Sequence, residues 1–110
     1  MMVQIDQSIY MQRMLPPKDV YSTNITNSSG AQITAVVQYE GIDPEHAETL
    51  TLTIPAGATV SAPEKSVNMG TWTAAKVIKK ITVGDRVINA PFPGVSSPMK
   101  DLPLVFPTNF

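Results

Sequence analysis

The sequence contains no cysteine and only one histidine, and few of its residues are charged. Without cysteine the chain has no disulfide, no thiolate nucleophile and no cysteine-ligated zinc site. The formal net charge of −1 argues against a domain that works mainly by neutralising phosphates, because such a domain needs clustered excess lysine and arginine. We therefore expect no nucleic acid partner.

Membrane and secretion signals are also scarce. No apolar run is long enough to span a bilayer, which predicts a chain without a membrane span. Residues 1–6 lack the basic and unbroken apolar regions of a signal peptide. We therefore expect a soluble, cytoplasmic protein. At 110 residues, with ordinary hydrophobicity, the chain is expected to fold as a single domain over residues 1–110.

Alternation of apolar and polar residues predicts short β-strands. The clearest run is Ala31 to Tyr39, and residues 49–54 alternate leucine or isoleucine with threonine. The Asn-Ser-Ser-Gly cluster at residues 27–30 is typical turn sequence, so we expect residues 19–26 and 31–39 to form a β-hairpin.

A second hairpin is predicted further along the chain. The run Thr71 to Val83 changes its alternation between Ile78 and Ile81, which indicates a β-bulge or a change of sheet. Gly84 and Asp85 then form a tight turn into Arg86–Asn89. Two segments favour helix: Asp43-Pro44 predicts one helical turn, and residues 1–18 fit either a strand or a short helix.

These elements predict an all-β fold, an antiparallel two-layer β-sandwich with a Pro-rich C-terminal tail. Over residues 19–90, the expected core, the strand pattern resembles immunoglobulin-like sandwiches in general architecture, although the cysteine pair of true immunoglobulin domains is missing. Residues 91–110 hold five of the ten prolines together with three phenylalanines. We expect them to form an edge strand at Leu102 to Phe106 or an extended C-terminal arm.

Catalytic and metal-binding patterns are weak. His46 is the only histidine available for a Ser-His-Asp site, and no serine lies in a Gly-x-Ser-x-Gly turn. The acidic stretch from Glu40 to Glu48 is the one metal-binding candidate, but its spacing matches no EF-hand loop and the sequence has no His-Glu-x-x-His zinc pattern. No phosphate-binding glycine motif is present. We expect no catalytic residue, no metal and no cofactor. Asn24 and Asn27 fit the glycosylation sequon, but we interpret them as turn residues.

Charges of opposite sign are segregated along the chain. Four of the nine acidic residues lie between Glu40 and Glu48, and four of the eight basic residues lie between Lys76 and Arg86. Two such patches can steer a partner, or they can lie side by side and neutralise each other. Trp72 lies beside the basic patch, but a core position is expected for it. The candidate partner-binding residues are Trp72, Lys76, Lys79, Lys80, Arg86, Leu104, Phe106 and Phe110.

The leading hypothesis is a non-enzymatic binding or structural module that contacts a protein partner, or a second copy of itself, through its loops and C-terminal arm. The alternative is a small-ligand or carbohydrate-binding domain that uses Trp72 and Tyr39. A hydrolase centred on His46 is the third hypothesis, for which unchanged activity in His46→Ala would eliminate that site.

Overall fold

The computed structural model describes residues 17–110. The N-terminal strand or helix predicted for residues 1–18 therefore lies, apart from its last two residues, outside the described part. Residues 17–110 contain nine β-strands and one short 3-10 helix at Pro44–His46, with no helix long and apolar enough to cross a membrane. The strands are β1 (Thr23–Asn27), β2 (Ile33–Glu40), β3 (Glu48–Ile54), β4 (Thr59–Ala62), β5 (Ser66–Asn68), β6 (Thr73–Ala75), β7 (Val77–Val83), β8 (Arg86–Asn89) and β9 (Leu102–Phe106).

The strands form two larger sheets and one separate hairpin. One sheet has the order β3-β2-β7-β8 and is antiparallel throughout, whereas the other has the order β4-β1-β9. Within the described part of the chain, strands β5 and β6 pair only with each other. Apolar side chains from both larger sheets share one core, which confirms the all-β sandwich. One pair departs from the antiparallel prediction, because β1 and β9 run parallel.

Alternation along the strands sets which side chains enter the core. On β3 the threonines are exposed while Leu50, Leu52 and Ile54 face inward, as predicted from the period of two. The predicted bulge is also confirmed. Gln38 pairs with Lys80 and Tyr39 pairs with Ile78, so Lys79 is the extra residue on β7. The hairpin of β7 and β8 around Gly84 has the predicted turn.

The first predicted hairpin is wrong. Strand β1 pairs with β4 and β9, whereas β2 pairs with β3 and β7, so the turn at residues 28–31 crosses from one sheet to the other. The turn chemistry itself is present. Asn27 accepts a hydrogen bond from Ser29 N–H at 3.0 Å, and its Nδ2 donates to Ala31 O at 2.8 Å and to Ile54 O at 3.0 Å. A turn sequence therefore fixes where the chain reverses, but not which strands pair.

The Pro-rich segment contributes to the core. Strand β9 lies beside β1, and the chain before it adds a parallel bridge between Val20 and Met99. The core therefore extends beyond the expected residues 19–90, because four apolar side chains from the last twenty residues are buried in it. These are Phe92, Val95, Leu102 and Leu104.

Candidate functional site

The candidate site lies at the end of the sandwich where β2 connects to β3, and Glu48 joins two elements there. Its carboxylate accepts a hydrogen bond from Lys76 Nζ at 2.8 Å and contacts Lys65 Nζ at 3.2 Å. The two ammonium groups, Lys76 first, lower the pKa of Glu48. Because Lys65 and Lys76 flank the β5–β6 hairpin, Glu48 anchors the base of that hairpin to the edge of the larger sheet.

Tyr39 forms a second connection at this end. Its ring is 2% exposed, and its hydroxyl donates to Pro63 O at 2.6 Å. Burial, with a smaller effect of the Glu48 carboxylate, raises the pKa of Tyr39 to about 12. Tyr39 therefore offers a ligand little aromatic surface, and its main contribution is to hold the chain before β5 against β2.

The tip of the β5–β6 hairpin carries an exposed aromatic ring. Trp72 is 53% exposed, so the core position expected for it is wrong. The reason is that β5 and β6 pair with each other and not with either larger sheet. The tip is ordered by a bond from Met69 N–H to Trp72 O at 2.8 Å and by one from Gly70 N–H to Asn68 Oδ1 at 2.8 Å. Gly70 has a φ of 97°, a conformation that favours glycine.

The predicted basic group is dispersed. Lys76 bonds to Glu48, and Lys79 contacts Glu40 at 3.1 Å, so the acidic and basic segments neutralise each other locally. Lys80 lies half-buried on β7. Arg86 lies beyond the Gly84 turn, where its Nη1 donates to Phe110 O at 3.0 Å. These side chains therefore do not form one positively charged surface.

The C-terminal candidates are also placed apart from the hairpin. Leu104 is 2% exposed and belongs to the core, so it has no surface to offer a partner. Phe106 and Phe110 are half-buried, with their ring centroids 5.8 Å apart in an edge-to-face arrangement. The expected C-terminal arm is therefore packed on its own domain in this structure.

A groove opens beside the hairpin base. It has a volume of about 590 Å³ and is bordered by the β2–β3 connection, with Glu40, Lys79 and the half-exposed Ile42 in its lining. The predicted helical turn is confirmed here, with Asp43 as its N-cap. His46 Nδ1 lies 2.6 Å from Asp43 Oδ1.

No serine or threonine hydroxyl of residues 17–110 hydrogen-bonds to His46, so the structure places no nucleophile on this histidine. The described residues also contain no group of three or more histidine, aspartate or glutamate side chains that could hold a metal ion. The hydrolase hypothesis stays a prediction.

The two sequons have different structural settings. Asn27 is fully buried and its Nδ2, the atom that would carry a glycan, donates two hydrogen bonds. Asn24 lies on β1 and accepts a hydrogen bond from Ser61 Oγ at 2.6 Å. The interpretation of both as turn residues is wrong, because both lie on β1, although Asn27 is its last residue and orders the turn that follows.

The sequence pattern does not predict the β5–β6 hairpin, because residues 71–83 read as one long run. Gly70 and the uncharged segment from Ser66 to Ala75 were the available signals. Comparison with protein-family models, curated proteins and solved structures found no match. The immunoglobulin-like resemblance therefore stays a prediction.

Proposed function

We propose that this domain is a non-enzymatic protein-binding module whose contact surface is the β5–β6 hairpin. The exposure of Trp72 at the hairpin tip is the observation that carries the proposal. Tryptophan is among the residues that most often dominate binding energy at protein interfaces. Nothing else among the described residues exposes so large an apolar side chain on an ordered tip.

The composition of the hairpin supports the same function. Residues 66–75 include Trp72 and Met69 and no charged side chain, whereas Lys65 and Lys76 lie immediately outside them. The central part of a protein interface is typically depleted of charge and enriched in aromatic residues and methionine, with polar residues at the rim. The hairpin therefore has the composition of an interface core with a charged border.

Rigid presentation favours tight binding. The contacts of Glu48 with two lysines and the Tyr39 hydroxyl bond hold the hairpin base, and the backbone bond of Met69 orders its tip. A preordered contact surface loses less conformational entropy when a partner binds. The proposal therefore uses a loop of the sandwich for partner contact and leaves the C-terminal segment to the fold, since Leu102 and Leu104 are buried in the core.

The test uses a photo-crosslinking residue in place of Thr71, which is exposed and adjacent to the tryptophan. We expect it to capture a defined protein in the native cell. Trp72→Ala should abolish that capture, since it removes the anchor without exposing core. Val87→Ala is the matched control, because Val87 is also exposed but lies on β8. Equal capture by the Trp72→Ala variant would contradict the proposal.

A small-ligand or carbohydrate-binding domain is the second candidate, favoured by the groove. Its volume of about 590 Å³ lies within the range of small-molecule sites, and Ile42 gives it an apolar border. A ligand bound there should raise the melting temperature, and Ile42→Ser should reduce that increase. Trp72, which the sequence placed in this ligand site, does not line the groove, so Trp72→Ala should leave the increase unchanged and thereby separate the two candidates. A panel of glycans and metabolites without any shift would argue against this one.

A further inference from the structure

Three of the four outer edges of the two larger sheets are protected against pairing with another chain. On β9, Pro103 has no N–H group, and the N–H and C=O of Val105 both bond to Asn109, each at 2.7 Å. Strands β4 and β8 are only four residues long, and Pro63 and Pro91 follow them closely. Short strands and prolines are common ways to prevent edge-to-edge association.

Strand β3 is the edge that residues 17–110 leave unprotected. It is seven residues long and pairs on one side with β2, and no backbone hydrogen bond within residues 17–110 reaches the other side of Thr49 to Thr53. The strand contains no proline, glycine or lysine. A long edge strand of this composition presents free N–H and C=O groups to which a further strand can bond.

The sequence of this edge identifies the strand that fits it. Residues 49–53 read Thr-Leu-Thr-Leu-Thr, which is the same in both directions. We propose that two copies of this chain associate through antiparallel pairing of their β3 edges about a two-fold axis at Thr51. A two-fold interface places the same surface of both copies in contact, so it requires a self-complementary strand.

In this register, threonine meets threonine on the exposed face of the sheet and leucine meets leucine on the face toward the core. Thr51 lies opposite Thr51 of the second copy, and Leu50 lies opposite Leu52. Leu50 and Leu52 pack against the core but are only half-buried, so pairing covers their remaining apolar surface. Threonine pairs across strands are favourable, and Glu48 meets Ile54 rather than another charge. The result is one continuous antiparallel sheet across both copies.

The first test places a charge on the two-fold axis. Thr51 is exposed, so Thr51→Lys and Thr51→Glu should fold with nearly unchanged melting temperatures. When either variant is studied by itself, its dimer would place two like charges opposite each other. Its dimer dissociation constant, measured by sedimentation velocity, should therefore rise at least about tenfold. An equimolar mixture of the two variants should recover the dimer. Thr34→Lys is the matched control, because Thr34 is exposed on the same face but lies on β2, one strand in from the edge.

The second test uses the absence of cysteine. In Thr51→Cys the only disulfide that can form is intermolecular, and directly opposed residues in an antiparallel pair have suitable Cα separations. Mild oxidation should link Thr51→Cys as a dimer and leave Thr34→Cys unlinked. The proposal is overturned if the unmodified chain is monomeric up to its solubility limit, if Thr51→Lys dimerises as well as the unmodified chain, or if the Lys and Glu variants fail to pair when mixed.

Discussion

Asn27 is predicted to be one of the most sensitive polar positions in the domain. Its side chain is fully buried and makes four hydrogen bonds, two donated by Nδ2 and two accepted by Oδ1. Asn27→Ala removes all four and leaves the buried Ile54 carbonyl without this donor. At about 0.5–1.5 kcal/mol for each net bond, with the bonds to the more exposed turn partly replaced by water, the expected loss is roughly 3 kcal/mol.

Asn27→Asp tests the direction of those bonds. A carboxylate has no hydrogen to donate, so it would face the carbonyl oxygens of Ala31 and Ile54. We expect Asp to destabilise the domain at least as much as Ala, because a buried charge is added to the lost bonds. Protonation at low pH should recover part of the difference between the Asp variant and the unmodified chain.

The measurement is urea unfolding with a parallel thermal melt. A loss of about 3 kcal/mol should lower the melting temperature by roughly 12 °C in a domain of this size. Asn24→Ala is the control, since Asn24 lies on the same strand but makes one exposed bond, to Ser61. We expect its effect to stay within about 0.5 kcal/mol. Equal effects of the two substitutions would refute the assignment of stability to the buried bonds of Asn27.

Three further substitutions test other parts of the structure. Glu48→Gln should lower the free energy of unfolding by about 1 kcal/mol at neutral pH. Because folding lowers the pKa of Glu48, its stabilisation is present above the unfolded-state pKa and should fade as the pH falls through the folded-state pKa. Unfolding curves from pH 7 to about pH 3 would show this loss. Gly41→Ala should destabilise the β2–β3 connection, since its Cβ would lie 2.6 Å from that of His46, and faster amide exchange confined to residues 41–47 would report it. Leu104→Ala should cost about 3 kcal/mol in urea unfolding, whereas a loss below about 1 kcal/mol would mean that β9 contributes little to the core.

Alternation and turn chemistry were sufficient to predict the strands with one polar face. Thr49 to Ile54 could be assigned because each threonine marks the solvent side, and the bulge at Lys79 appeared as a break in the same period. These signals depend on neighbours within one strand. They do not specify which strands pair, so they predict a hairpin at Asn27 although the turn there joins two sheets.

Burial of Trp72 was mispredicted for a related reason. A tryptophan in a strand is usually buried when the strand belongs to a sheet that covers a core, but Trp72 lies in the turn between β5 and β6, and this strand pair stands apart from both larger sheets. In the C-terminal segment, by contrast, apolar side chains are more buried than its proline content indicates. Its prolines argue against a central strand, yet Leu102 and Leu104 are buried, because an edge strand needs ladder bonds on one side only.

The sequence of this small β-domain thus predicts its individual strands better than it predicts which of its surfaces are free to bind a partner. The features proposed here for binding, the free edge of β3 and the uncharged tip of β5–β6, depend on which neighbours a strand lacks. The threonines show only which face of β3 meets solvent, whereas its free backbone edge follows from the pairing, because β2 is its one partner strand within residues 17–110. The same five residues can therefore stabilise the monomer through their inward leucines and form a dimer through their backbone, which is why Thr51→Lys is expected to affect association and leave folding intact.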